Sequence, residues 1–263
     1  MNNLSERQLK TIDNQVTGWL AELGQQVRQG LGANRSVQTK EGDFRNLVTD
    51  LDKSNQAWLL DHLRNLDSQA HFVAEEGDLK RPETMVGHVW FVDPIDGTLN
   101  FVHEKTDFAI MVALYVDGQP TLAWIAKVMS EEIYHGGPDL GVFCNEQKLP
   151  AVVDRSLDQA IVILSGRRLL SGEKPYRLLA EKALAFRVIG SAGISFVRLL
   201  QQQATGYLSK LSPWDLAAGR VLSESLGYQV KRLDGEPVNM LLSNTVLIAT
   251  NKMHLETIKV IKD

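Results

Sequence analysis

Trp90-Phe91-Val92-Asp93-Pro94-Ile95-Asp96-Gly97-Thr98-Leu99-Asn100-Phe101 carries an apolar run into a pair of carboxylates within a few residues. His88 to Val92 has the make-up of a strand, and Asp-Pro-Ile-Asp-Gly is a cluster of turn-formers that ends it. Asp93 and Asp96 stand three positions apart with Pro94 fixing φ between them, so the turn brings both carboxylates to one side. Converging carboxylates repel each other unless a cation sits between them, and hard oxygen ligands of this kind suit Mg²⁺. If a helix begins at Gly97 and Thr98, its first N–H groups point outward as donors for a phosphate oxygen. Taken alone, the same residues also fit an ordinary surface turn with an acidic N-cap.

Upstream, Leu9, Ile12, Val16, Trp19, Leu20, Leu23 and Val27 recur at helical steps, Gly30 and Gly32 end that helix, and Ala57 to Leu66 repeats the spacing. His71 to Ala74 reads as a strand emptying into Glu75-Glu76. Downstream, Asp107 to Val116 and Thr121 to Met129 are β-rich runs joined by Asp117-Gly118, a hairpin signal. Strands from Glu132 and over Gly141 to Cys144 extend an antiparallel sheet. The second half alternates: strand 160–164, helix 176–185, strand 186–189, helix 194–203, strand 206–208, helix 214–226, strands near Tyr228 and Val246, and a closing helix from Met253. No linker or repeat separates the halves. The expectation is a single catalytic domain over 1–263 made of two lobes, about 1–150 and 151–263, with the seam near 145–155.

The 263 residues, 44% apolar, suffice for a sizeable core, and a net charge of −4 offers no basic excess for a nucleic-acid backbone. The longest apolar run, Phe108 to Val116, has nine residues where a membrane helix needs about twenty. The opening MNNLSERQLK lacks a secretory pattern, and the single cysteine, Cys144, forms neither an internal disulfide nor a thiolate metal site; together these suggest a cytoplasmic location. There is no nucleoside-triphosphate loop of the Gly-x-x-x-x-Gly-Lys-Ser/Thr type, no His-Glu-x-x-His helix and no metal spacing among the six histidines. Asp93 and Asp96 are also three apart rather than the two that a haloacid-dehalogenase-type phosphatase requires.

Two further acidic features stand beside the Asp pair. In Ser212-Pro213-Trp214-Asp215-Leu216-Ala217-Ala218-Gly219, small residues allow close packing that aims Asp215 into a cleft, though an acid in the first turn of a helix fits equally. Ala74-Glu75-Glu76-Gly77 places an acid pair at a strand end. In order and spacing these segments, with Asn46-Leu47-Val48-Thr49-x-x-Asp52 upstream, resemble the inositol monophosphatase family, bacterial-type members included, along nearly the whole chain.

The resemblance implies an α+β fold, a layered αβαβα sandwich, in a homodimeric, lithium-sensitive, Mg²⁺-dependent hydrolase of small-molecule phosphate monoesters. Carried over by residue, Glu75, Asp93 and the Ile95 carbonyl hold one Mg²⁺, and Asp93, Asp96 and Asp215 a second; some members recruit a third near the Glu75 position. Asp52 and Thr98 position the attacking water for in-line displacement, and Gly97 with Thr98 binds phosphate. Leu99 and Ala74 depart from the usual Thr and Gly without removing a ligand. Seven positions before Asp215, where animal members carry a glutamate that takes inositol hydroxyls, this chain has Leu208. Lys210 and Arg167-Arg168 are expected either to form a cationic rim admitting substrates with extra negative charge or to be solvated surface residues, and Ser191, in Gly190-Ser191-Ala192-Gly193, either to reach a sugar hydroxyl or to start a helix. Inositol monophosphate is the first expected substrate; NADP(H), 3′-phosphoadenosine phosphate and fructose 1,6-bisphosphate are the alternatives, and a non-catalytic metal-binding regulatory protein is the third reading.

Overall fold

The computed structural model describes residues 4–32, 37–39, 47–77 and 79–262; Asn46 of the upstream motif lies outside them. Helix α1 (Glu6–Gln29) opens on a capping box between Ser5 and Gln8 and buries Leu9, Val16, Leu20, Leu23 and Val27 along one face. Strands β1 (Val37–Thr39) and β2 (Leu47–Thr49) pair antiparallel, and β2 runs into helix α2 (Asp50–Leu66).

Then come β3 (His71–Ala74), β4 (His88–Asp96), the short helix α3 (Thr98–His103), β5 (Ala109–Val116), β6 (Gln119–Lys127), β7 (Glu132–Gly137), β8 (Gly141–Cys144) and β9 (Gln147–Lys148). Strands β3 to β9 form a seven-stranded sheet in chain order, β3 parallel to β4 and the rest antiparallel. The expected hairpin turn is present: Asp117 (φ 49°) and Gly118 (φ 77°) are both left-handed, as a two-residue hairpin loop requires.

The remainder is β10 (Ile161–Leu164), α4 (Gly166–Leu170), α5 (Lys174–Lys182), β11 (Ala185–Arg187), α6 (Ala192–Leu200), β12 (Gly206–Leu211), α7 (Pro213–Ser225), β13 (Gln229–Arg232), β14 (Asn244–Ala249) and α8 (Asn251–Lys262). Its five strands lie in the order β11-β10-β12-β14-β13. Strand β12 runs to Leu211, beyond the apolar stretch that ends at Leu208. The extension through Ser209 and Lys210 is held by antiparallel pairing with Val246 and Thr245 of β14, a tertiary contact invisible to periodicity.

The layers follow from alternation. Ile110, Val112 and Leu114 of β5 face α1 and α2 with Trp90 and Trp124, whereas Ala109, Met111, Ala113 and Tyr115 face α6 and α7. Both faces of β5 are therefore covered, which is why Phe108 to Val116 is continuously apolar. Helices α6 and α7 pack on their other side against Ile163, Tyr207, Val246 and Ile248 of the second sheet, and the far side of that sheet carries α5 and α8 over Val162, Leu208 and Leu247. The result is the five-layer αβαβα sandwich of the α+β class, with one core shared by both sheets through α6 and α7. No helix among the described residues is long and apolar enough to cross a membrane.

The two central helices touch at Gly219 of α7, where an added Cβ would fall 2.1–2.2 Å from ring carbons of Phe196 on α6. Alanine would gain about 1 kcal/mol of helix propensity, but the overlap is with a fully buried ring that cannot swing away. Gly219→Ala is expected to cost about 1–3 kcal/mol net, a drop of roughly 3–10 °C in melting temperature by differential scanning calorimetry; a melting temperature at or above wild type would contradict the close approach.

Candidate active site

Three of the candidate acids, Asp52, Asp96 and Asp215, are held by backbone donors at a helix start. In α2, Asp52 closes a capping box: its Oδ2 accepts from the Thr49 N–H (2.9 Å) and from the Thr49 hydroxyl, and its Oδ1 accepts from Thr98 Oγ1 at 3.2 Å. In α7, Asp215 Oδ2 accepts from the Ser212 N–H at 2.9 Å. Asp96 caps α6, a helix far away in sequence: its Oδ1 accepts from the Ala192 N–H (2.9 Å), and its Oδ2 from the Gly193 N–H (2.8 Å) and the Ser191 hydroxyl. Asp93 folds back on its own turn, accepting from the Ile95 N–H at 3.2 Å where a bulge interrupts the β4–β5 register between Asp93 and Asp96. Pro94 sits in that bulge, where its missing N–H costs no ladder bond.

The acids converge. Ligand oxygens of Asp93, Asp96 and Asp215 all lie within 4.8 Å of one another, the first two buried and the third half-buried. Burial pushes the Asp93 carboxyl well above its ordinary range, and the charges of Glu75, Asp96 and Asp215 add to that push. Asp96 is also raised by burial, against the pull of its Ser191, Gly193 and Ala192 donors, and Asp52 by burial against the Thr49 and Thr98 bonds. Clustered carboxylates that resist ionisation together are what a divalent cation relieves, so the donor set fits a hard cation. The acid loop is braced from behind: Gln56 of α2 donates to the Glu76 carbonyl (2.6 Å) and accepts from the Glu76 N–H (2.8 Å).

A cavity of about 540 Å³ opens beside Asp96 and Asp215, walled by Ser165, Gly166, Arg167, Gly190, Tyr207 and Ser209 among others. Arg167 is its cationic wall residue. Arg168 turns away to Glu173, one nitrogen lying 2.8 Å from both carboxylate oxygens. The expectation for Lys210 is corrected: side chains alternate along β12, so Ser209 and Leu211 face the cavity and Lys210 leaves on the opposite side, exposed to solvent. Leu208 shares that opposite side, fully buried in the outer apolar cluster. Ser191 lies in the wall, but its hydroxyl donates to Asp96 and accepts from the Ile194 N–H (3.1 Å), so it serves as the N-cap of α6. Gly97 has φ 83° and an added Cβ would meet the Ser191 Cβ at 2.8 Å, so glycine lets the turn approach α6.

Some wall residues went unread in the sequence. Ser209 and Tyr207 follow once β12 is extended, because alternation then assigns them to one face. Asn100 gave no signal: its amide donates to the carbonyls of Asp107 and Ile189, both 3.0 Å, tying α3 to the loop that leads into α6.

Comparison with known proteins accords with this arrangement. A profile of the inositol monophosphatase family matches residues 8–262, and the chain belongs to that family. As such it is a phosphatase of the phosphoric monoester hydrolase class. An inositol-1-monophosphatase of Bacillus subtilis (strain 168) is 28% identical over 248 residues, 92% of this chain and 93% of that protein. A solved IMPase/NADP phosphatase complexed with NADP and Ca²⁺ superposes with a TM-score of 0.88 at 25% identity, over 97% of both chains. An IMPase/NADP phosphatase complexed with Mg²⁺ and phosphate gives 0.86 at 26% identity, over 96% of this chain and 95% of that one.

A carboxyl whose pKa is higher folded than unfolded makes the folded state bind more protons, so stability falls as pH rises from the unfolded value, near 3.8 for Asp93, through the raised folded one. Asparagine at position 93 keeps the Oδ1 acceptor for the Ile95 N–H and removes the charge. In EDTA, Asp93→Asn is expected to melt above wild type at pH 8, with a smaller difference at pH 5, and to lose most of the rise that saturating Mg²⁺ gives wild type. Calorimetry at both pH values checks this; a variant that melts lower than wild type in EDTA at pH 8 would contradict the repulsive cluster.

Proposed function

We propose that this chain hydrolyses small phosphate monoesters with Mg²⁺, inositol monophosphate first among them. The observation that carries the reading is the convergence of Asp93, Asp96 and Asp215 within 4.8 Å at the mouth of the cavity, with Thr98 bonded to Asp52 beside it. Glu75, Asp93 and the Ile95 carbonyl would hold one cation, and Asp93, Asp96 and Asp215 another. Asp96 Oδ1 accepts one hydrogen bond and so keeps a lone pair for that purpose. A divalent cation bound there supplies Lewis-acid polarisation of phosphate and water acidic enough to attack near neutral pH.

The chain's own residues supply orientation and proton handling. Thr98 Oγ1 has one proton and two acceptors at nearly equal distances, Asp52 Oδ1 at 3.2 Å and the Ile95 carbonyl at 3.1 Å. Were that carbonyl to hold a cation, the Thr98 proton would be left to Asp52, and the Thr98 oxygen would be free to accept from a water. Asp52, raised by burial, is then a base of useful strength. The N–H groups of Gly97 and Thr98 would meet a phosphate oxygen, and the half of the cavity near Ser165 and Ser209 would take the hydroxyl-bearing remainder.

A second reading is favoured by Arg167 in the wall and by Leu208, which brings no acid to the cavity. A substrate with an additional phosphate, as in NADP(H), 3′-phosphoadenosine phosphate or fructose 1,6-bisphosphate, would find a partner in Arg167. The family relationship supports a cytoplasmic homodimer, and the exposed Leu184, Phe186 and Val188 along the edge strand β11 support the dimer further.

Phosphate release from a panel of these esters at varied Mg²⁺ tests the reading. Turnover should require Mg²⁺ and fall with Li⁺, and Thr98→Ala should lose about 100-fold or more in kcat with KM within about threefold. Inositol monophosphate turned over fastest supports the first reading and NADP(H) the second; release from no ester would favour a non-catalytic protein.

A further inference from the structure

A second cavity, about 550 Å³, lies away from the acid cluster between the later part of α7, β13, the segment 233–238 and α8. Its walls are mainly cationic: Arg220, Lys231, Arg232 and Lys262 against Asp234 and Glu236. Asp234 is largely consumed, gripping the Arg232 guanidinium at Nε (3.0 Å) and at one terminal nitrogen and also accepting from the Glu236 N–H at 3.1 Å. Arg220 is steadied through Nε by Glu224 at 3.1 Å, and its two terminal nitrogens have no hydrogen-bond acceptor among the described residues. The Lys231 and Lys262 ammonium groups have no ion-pair partner among the described residues. Both arginines also border an adjoining cavity of about 560 Å³, so the cationic strip continues from one hollow into the next.

Among these charges His254 of α8 is buried to 7% exposure, and its Nδ1 is sealed from solvent with no hydrogen-bond partner. No side-chain hydrogen bond of this ring exists among the described residues, although it forms part of the cavity wall. An imidazole buried without a protein partner costs about 1–3 kcal/mol. The ring is part of a wall whose cationic side chains outnumber its acidic ones, so an anion bound in the hollow would lie against it.

We propose that this hollow binds a small phosphorylated metabolite as a site separate from catalysis, with the terminal nitrogens of Arg220 and Arg232 gripping phosphate oxygens and Lys231, Lys262 and His254 completing the shell. Phosphate is favoured over carboxylate because the two terminal nitrogens of Arg220, the terminal nitrogen of Arg232 that Asp234 does not hold and the two ammonium groups present more N–H donors than one carboxylate has lone pairs, whereas a phosphate group offers three oxygens. Arg220 stands on α7, the helix that begins beside Asp215, so occupancy bears on the same element that carries a metal-ligand candidate.

Isothermal titration of pyrophosphate into the full chain in EDTA tests this, because without metal the acid cluster repels anions. Binding tighter than about 1 mM is expected, weakened about tenfold, the worth of one charge-assisted hydrogen bond, by Lys231→Ala and by Lys262→Ala. Both lysines are exposed, so the variants should fold, and their melting curves confirm it. Arg167→Ala should leave the affinity unchanged. No binding at 10 mM, affinity unchanged in both lysine variants, loss of binding in Arg167→Ala, or citrate bound as tightly as pyrophosphate would each overturn the proposal.

Discussion

Asp96 is the point on which the structure turns. Its carboxylate ends strand β4 of one sheet and caps the helix that packs against the other, accepting from Ser191, Ala192 and Gly193. The same carboxylate faces Asp93 and Asp215 within 4.8 Å. One side chain thus joins the two halves and helps to create the electrostatic conflict that a cation resolves. Helix N-termini make the conflict tolerable, since their unpaired N–H groups stabilise negative charge where it is buried. Three of them, those of α2, α6 and α7, meet at this place.

Close approach is the steric counterpart of that convergence. At Gly193 an added Cβ would stand 2.8 Å from the Ala109 Cβ and 3.0 Å from Asp96 Oδ2. A side chain there would push α6 off β5 and pull its N–H from the carboxylate it caps. With Gly97 and Gly219, Gly193 lets α6 sit against both the acid turn and α7. The layer order of the fold, helices between two sheets, is therefore also what delivers α6 and α7 with their N-termini toward the end of β4. Stability and site geometry rest on the same contacts.

The legible part of the sequence was the part governed by local chemistry. Alternation and apolar runs located the sheets, because burial on one or both faces imposes periodicity on residues such as Ile110 to Leu114. The Asp-Pro-Ile-Asp-Gly turn announced its carboxylates because Pro and Gly act within a few bonds. What was not legible depends on partners distant in the chain. Ser191 reads in sequence as a sugar contact or a helix start; the structure makes it a helix start, with its hydroxyl on Asp96, nearly a hundred positions earlier. Lys210 is near Asp215 in the chain, but one residue of strand alternation sends its side chain to the other face. Ser209, its neighbour, is the residue that reaches the cavity.

A near-neutral chain that concentrates buried acids at one seam is best understood as a framework that binds a cation. The direct measurement is anomalous diffraction from crystals soaked in Mn²⁺, which replaces Mg²⁺ in oxygen-lined sites. The account predicts a peak at coordination distance, roughly 2.0–2.3 Å, from oxygens of Asp93, Asp96 and Asp215 together, absent from Asp93→Asn crystals. An ordered structure with no peak among these three carboxylates at saturating Mn²⁺ would contradict it.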